Sequence, residues 1–343
     1  MRLFRSFPLI AVALLLASLS GCGGSEALDP DAPLVELSIP RGAAFGEVVD
    51  TLTARGLVGS PRLFRTYARL RGDDRRIRAG DYAIHPDARW KEILAVLVEG
   101  RVRTVAVTIP EGFTLTQIAP RLAEVTGLSP DSVLAVLQAE SADSLFSVPG
   151  PGLEGYLFPD TYRFAMGISL QEVLETLTDH YHDVWTEERR DRLDNLDFSE
   201  QEVVTLASII QGEARRTEEM PVISAVYHNR LRRGWLLQAD PTIQYALGGR
   251  RERLLYSDID AVADHPYNTY THPGLPPGPI GAPGEQAIQA ALYPDSVDFM
   301  FFVARPDGSH VFTRTLAEHN RAKAASRREA EALRRESENP GAP

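Results

Sequence analysis

Glu213 is the side chain around which a reaction can be built. Phe198-Ser199-Glu200-Gln201-Glu202 predicts a helix start, with Ser199 as N-cap, Glu202 closing a capping box and Phe198 stapling onto the first turn. Val203, Leu206, Ala207, Ile209 and Ile210 then recur at three- and four-residue steps. This sets Glu213 one turn past Ile209 and Ile210, on or beside the stripe that faces the core. A carboxyl there is partly desolvated, and desolvation raises its pKa toward what a general acid needs near neutral pH. Taken alone, the helix also allows a plainer reading, an acid at a frayed helix end.

Glu154, Asn229, Gln238, Asp240, Gln244, Tyr245, Asn268 and Tyr270 mostly fall in or beside loops and helix ends. Carboxyls mixed with amides and aromatics suit a sugar site, where rings stack on apolar sugar faces and amides read hydroxyl and acetamido groups. Singly, each has another explanation: Asp240 as a helix cap, Asn229 as the satisfier of a turn, Tyr245 as packing. Other chemistries lack their residues. There is no Walker loop, no dinucleotide-type glycine fingerprint and no His-Glu-x-x-His. His180 and His182 stand two apart and point to different helix faces, and His228, His265, His272 and His310 have no ligand spacing, so neither metal nor cofactor is expected.

The elements that must position these residues begin with a repeat. Leu37-Ser38-Ile39-Pro40-Arg41-Gly42 returns as Val107-Thr108-Ile109-Pro110-Glu111-Gly112, each copy followed by an amphipathic pattern, which predicts two βα units. Between them, Leu63, Phe64, Tyr67 and Leu70 predict a helix, residues 80–84 a strand, and residues 90–97 a helix ending at Gly100. A short helix over 131–140 and a proline-glycine loop over 147–152 lead to residues 153–162, whose mixture of polar, aromatic and turn-forming types suits a loop lining a cleft. A helix over 170–185 presents Val173, Leu174, Leu177, Tyr181 and Val184 on one face. After Glu213, Thr217 is read as the cap of a helix with Pro221 in its first turn and Val222, Ile223, Val226 and Leu231 facing inward. Asp240 is read as the cap of a helix opened by Pro241 and ended by Gly248-Gly249. A stiff proline loop, a helix over 285–292, a hairpin around Pro306-Asp307-Gly308 and a charged tail complete the chain.

At the other end, Met1-Arg2-Leu3-Phe4-Arg5 and the apolar run to Leu19 fit a signal-peptide core too short to span a bilayer. Leu19-Ser20-Gly21-Cys22 resembles a bacterial lipobox, so Cys22, the only cysteine, is expected to become a lipidated N-terminus, leaving no thiol nucleophile and no internal disulfide. Residues 22–34 then read as a tether. The net charge of −11 becomes −13 once Arg2 and Arg5 leave, which argues against a nucleic-acid partner and against broad electrostatic contact with anionic lipid.

Five ordered motifs carry a family resemblance: Ala207-Ser208-Ile209-Ile210-Gln211-Gly212-Glu213, Asn229-Arg230-Leu231, residues 237–245, Tyr267-Asn268-Thr269-Tyr270 and residues 274–280. With residues 153–162, they resemble the endolytic murein transglycosylases of the MltG, or YceG-like, type. The resemblance implies an α+β fold. A small LysM-like module over 35–104 would precede a lytic-transglycosylase, lysozyme-like catalytic domain over 105–320, with residues 1–21 as signal peptide and 321–343 as charged tail. It places the catalytic acid on Glu213, and Gln238, Asn268, Tyr270, Tyr245, Asn229, Asp240 and Glu154 as substrate-binding candidates. The implied partners are peptidoglycan strands and synthases, and the implied location is the periplasmic face of the cell envelope, at the inner membrane. Gln211 stands where relatives often have an additional acid, Ala214 where a hydroxyl residue is usual, and a lipobox replaces the family's common transmembrane helix. Two rival functions stay open: a hydrolytic muramidase with Asp240 or Glu154 positioning water, and a glycan-binding scaffold lipoprotein without catalysis.

Overall fold

The computed structural model describes residues 33–100, 104–139, 141–251 and 254–338. The signal segment read over residues 1–21, Cys22 and nearly all of the tether lie outside them. Two compact units divide the chain, Met1–Arg103 and Thr104–Pro343. Among the described residues, no helix is long and apolar enough to cross a membrane.

In the first unit β1 (Val35–Ile39), α1 (Phe45–Ala54), α2 (Pro61–Arg71), a 3-10 turn, β2 (Gly80–Ile84) and α3 (Trp90–Glu99) follow one another. β1 and β2 pair antiparallel with Leu37 opposite Tyr82. Alternation sends Leu37 and Ile39 inward, where Val49, Leu52, Phe64, Ile93 and Leu97 close a core. α2 presents Phe64 and Ala68 to that core, whereas Leu63 and Leu70, two of the residues that predict the helix, are 63% and 83% exposed. Tyr67 keeps a half-buried place against the Trp90 ring, 5.9 Å between centroids.

The second unit runs β3 (Thr104–Thr108), α4 (Leu115–Thr126), α5 (Pro130–Leu137), α6 (Ala142–Phe146), β4 (Thr161–Ala165), α7 (Leu170–Val184) and α8 (Glu187–Asp194). It continues with α9 (Glu200–Glu213), α10 (Met220–Arg232), α11 (Asp240–Ala246), α12 (Tyr256–Ala261), α13 (Glu285–Leu292), β5 (Phe301–Ala304), β6 (His310–Thr313) and α14 (Leu316–Glu338). The fold is therefore mixed α+β, with three separate two-stranded antiparallel sheets among the described residues. The repeat is visible in three dimensions: Gly42 and Gly112 share a φ of +76°, and the side chains of Glu47 and Gln117 reach back to the N–H groups of Ala44 and Thr114 that open α1 and α4.

Residues 153–162 are less a cleft lining than a piece of core. Leu153, Tyr156, Leu157, Phe158 and Tyr162 are buried, and the segment ends in β4, which pairs Tyr162 with Val107 of β3. Gly155 and Pro159 break its backbone, but its aromatics are apolar enough to be drawn inside.

α9 is the centre of the unit. Ser199 and Glu202 make the expected reciprocal cap, at 2.7 and 3.3 Å, while Phe198 packs on the His228 ring of α10. Every residue from Val203 to Ile210 is buried, so the single predicted stripe is in fact a helix enclosed all round, with α10, α11 and α13 against it. Burying Ile209 and Ile210 stabilises by about 2 kcal/mol each, which outweighs the roughly 1 kcal/mol that Gly212 costs in a helix. The buried Ser208 hydroxyl donates to the Thr205 carbonyl and accepts from the Ile280 N–H, tying the proline loop to α9.

Candidate active site

Glu213 is the last residue of α9, because Ala214 turns extended at φ −73° and ψ 127°. The residue is partly exposed. Gly212 lets the next strand of chain come close, since a Cβ there would stand 2.8 Å from Pro241. The fully buried Tyr227, one turn after Ile223 on α10, donates its O–H to Glu213 Oε1 at 2.8 Å. Burial pushes the Glu213 carboxyl up to about 7; the Tyr227 hydrogen bond pulls it down, the Asp240 charge pushes it up, and Arg230 and the Asp240 backbone N–H draw it down. A carboxyl balanced in this way can deliver a proton at neutral pH and take one back.

Arg230 is buried beneath this site, its Nε donating to the Met300 carbonyl at 2.9 Å and its guanidinium lying 5.6 Å from the Phe301 ring centroid. Asp240 was read as a helix cap, but Ala239 takes that position and Asp240 is the first helical residue, leaving its carboxylate to accept from the Tyr270 hydroxyl. The segments carrying them are laced together: Gln238 N–H donates to the Thr269 carbonyl at 3.0 Å and Ala239 N–H to Thr269 Oγ1 at 3.0 Å. Gln238 itself is exposed at a φ of +49°, a left-handed conformation that costs a non-glycine residue on the order of 1 kcal/mol and that the lacing holds in place.

Two of the amides expected to bind substrate have other work. Asn268 is fully buried, its Nδ2 donating to the carbonyls of Ile259 and Val262 and its Oδ1 accepting from the Tyr270 N–H. Asn229 is buried as well, donating to the carbonyls of Val297 and Phe299 and accepting from Arg232. Both amides are taken up within the protein, Asn268 by backbone alone and Asn229 by backbone and Arg232, so they shape the loops that present Tyr270 and the hairpin. Likewise Thr217 does not cap α10; residues 217–219 form a 3-10 turn and α10 starts at Met220.

A second carboxyl cluster lies around Glu154. Its oxygens accept from the Leu115 N–H at the start of α4, at 3.2 and 3.3 Å, and from the Tyr245 hydroxyl at 3.3 Å. Burial pushes this carboxyl up to about 7, against the donors Leu115, Tyr245 and Gly155. The Tyr245 and Tyr267 rings stand 4.8 Å apart, both half-buried. Gln211, where relatives often carry an acid, donates to Glu111 Oε2 at 3.0 Å and accepts from the Gly284 N–H at 3.0 Å.

Tyr227 and Arg230 were not among the candidates read from sequence. The available signal was a phenol and a guanidinium on the inward face of a predicted helix, both needing partners that only the fold could supply.

A family model described as the YceG-like family matches residues 37–325. The chain is 33% identical over 308 residues to the endolytic murein transglycosylase of Bacillus subtilis (strain 168), covering 84% of each protein. It is 29% identical over 325 residues to the protein of the same name from Streptococcus pneumoniae serotype 2 (strain D39 / NCTC 7466), where the match takes in 84% of this chain and 57% of that protein. A solved structure of a yceG-like protein from Listeria monocytogenes superposes with a TM-score of 0.58 at 31% identity, covering 84% of this chain and 98% of the other.

Proposed function

The chain belongs to the YceG-like family, and from that premise we propose that it is an endolytic murein transglycosylase with Glu213 as its acid. The bond cut is the β-1,4 link from N-acetylmuramic acid to N-acetylglucosamine inside peptidoglycan strands. Protonated Glu213 gives its proton to the bridging oxygen as the oxocarbenium-like state develops. The resulting carboxylate takes the proton of the muramyl C6 hydroxyl, which closes on C1 and leaves a 1,6-anhydro end. The nucleophile lies within the substrate, so one carboxyl serves twice and no second one is needed to activate water.

The observation that carries this reading is the desolvated carboxyl of Glu213, a residue that is itself partly exposed, holding its proton up to about pH 7. Asp240, whose charge helps keep that proton in place, is suited to stabilise positive charge on the sugar, and its bond from Tyr270 keeps it oriented. Exposed Gln238 and the partly exposed residues Tyr270 and Tyr245, whose hydroxyls are held by Asp240 and Glu154, are the groups assigned to contact with substrate. The first unit holds glycan in a LysM-like manner, a reading supported by a cavity of about 290 Å3 lined by Pro40, Gly42, Phe45, Asp74 and Arg75 among others. Cys22 carries the lipid that anchors the protein at the periplasmic face of the inner membrane. There, beside the synthases, cutting would terminate growing strands.

Glu213→Gln protein, folded and incubated with purified sacculi, is expected to release no anhydro-muropeptides while the wild type does. Release by the variant would refute the assignment. Mass spectrometry separates the rival muramidase, whose product is heavier by one water, and a scaffold would bind sacculi without shortening any strand.

A further inference from the structure

The Glu154 carboxyl is spent on the protein rather than offered to a ligand. Oε1 and Oε2 share the Leu115 N–H that opens α4, and Oε2 also takes the Tyr245 hydroxyl. The loop beneath it is firmly seated: Leu153, Tyr156 and Leu157 have no exposure, and a Cβ on Gly155 would stand 2.4 Å from Pro279. A helix N-terminus alone would be content with a small capping residue, so the bond to Tyr245 is the informative one. Tyr245 lies in the last turn of α11, whose first residue is Asp240. This helix of seven residues, roughly 10 Å long at about 1.5 Å per residue, is thus held at one end beside Glu213 and at the other by Glu154. Tyr267 packs on Tyr245 and its phenol is pushed up by burial and by the Glu154 charge. It also belongs to the loop that presents Tyr270.

We propose that Glu154 is a positioning residue that acts through Tyr245, fixing the Tyr245 and Tyr267 rings as an aromatic platform for a pyranose ring of the bound glycan strand. The inference rests on the function proposed above, since it names how that site holds its substrate. The platform requires a ring held at one angle, and the phenol-to-carboxylate bond supplies that restraint without contact between Glu154 and the sugar.

Its test uses the full chain carrying Glu213→Gln, so that strands are bound and not consumed, with Kd for soluble glycan strands as the readout. Glu154→Gln and Tyr245→Phe are each expected to weaken binding about three- to tenfold. The double variant should be no weaker than the worse single one, because both act on the same bond, which Glu154→Gln weakens by removing the charge and Tyr245→Phe abolishes. In the active enzyme, KM should rise while kcat changes less than threefold. Unchanged affinity in Tyr245→Phe, or losses that multiply in the double variant, would overturn the proposal. So would a fall in Tm with no change in Kd, the mark of a merely structural role. Should Glu154→Gln fail to fold, Tyr245→Phe alone still decides. Failure of wild-type protein to release anhydro ends would instead sink the proposed function, leaving the binding comparison readable.

Discussion

At the scale of residues, the two protonation states of Glu213 tie the proposed catalysis to stability. Its folded pKa of about 7 lies above the ordinary 4.5, so the native state keeps a proton that the unfolded chain has already lost. Stability must therefore fall as pH rises from about 4.5 through 7, by about 3 kcal/mol from this group. Glu213→Gln removes that cost: the variant should be more stable than wild type at pH 8 by up to about 3 kcal/mol and equal to it near pH 4, as read from urea midpoints. In the proposed mechanism the protonated form is the active one, so activity should decline through about pH 7. Tyr227→Phe takes away a hydrogen bond that favours the carboxylate, so the alkaline limb of the pH–rate profile should move upward, and kcat should drop about tenfold as the acid loses its orientation. Glu213 was legible in sequence because its helix has a strong start signal and a strong apolar run. Tyr227 and Arg230 were not, since their meaning lies in partners on other elements: Glu213, Met300 and Phe301.

At the scale of elements, the close approach of α9 and α11 sets the site. Gly212→Ala would place a methyl group 2.8 and 2.9 Å from two atoms of the Pro241 ring. Overpacking of this kind costs about 1–3 kcal/mol, and alanine returns about 1 kcal/mol of helix propensity, so Tm should fall only slightly. Activity should fall much further, roughly tenfold to a hundredfold, because Asp240 is displaced with Pro241; a kcat equal to wild type would show that this spacing does not matter. Local signals read well along this chain: the capping box of α9, the β5–β6 hairpin around Pro306-Asp307-Gly308, and the bounds of α13. What sequence left hidden was long-range. β4 is a strand because β3, more than fifty residues earlier, offers its edge, and Asn268 is buried because Ile259 and Val262 turn their carbonyls toward it. α8 carries no apolar face and so showed no period; it is held by Arg189 on Glu285 and Gln289 of α13.

At the scale of the whole molecule, a net charge of −11 argues against attachment to anionic lipid through basic residues, which is why the proposed anchor is the lipid on Cys22. Cys22→Ala is expected to shift the protein from the membrane fraction to the soluble one without changing the activity of purified protein on sacculi, and high salt should not release the wild type. Persistence of the variant in the membrane fraction would count against the lipid anchor. The enclosure of α9 carries one more consequence, about timing. A chain that emerges from its amino end completes α9 long before α13, whose buried face covers it, has been made. Until Leu292 is out, the apolar helix stands open and the proton donor has no settled surroundings. A chain cut short before α13 is therefore expected to lack the activity proposed for Glu213, which would come only with the finished fold.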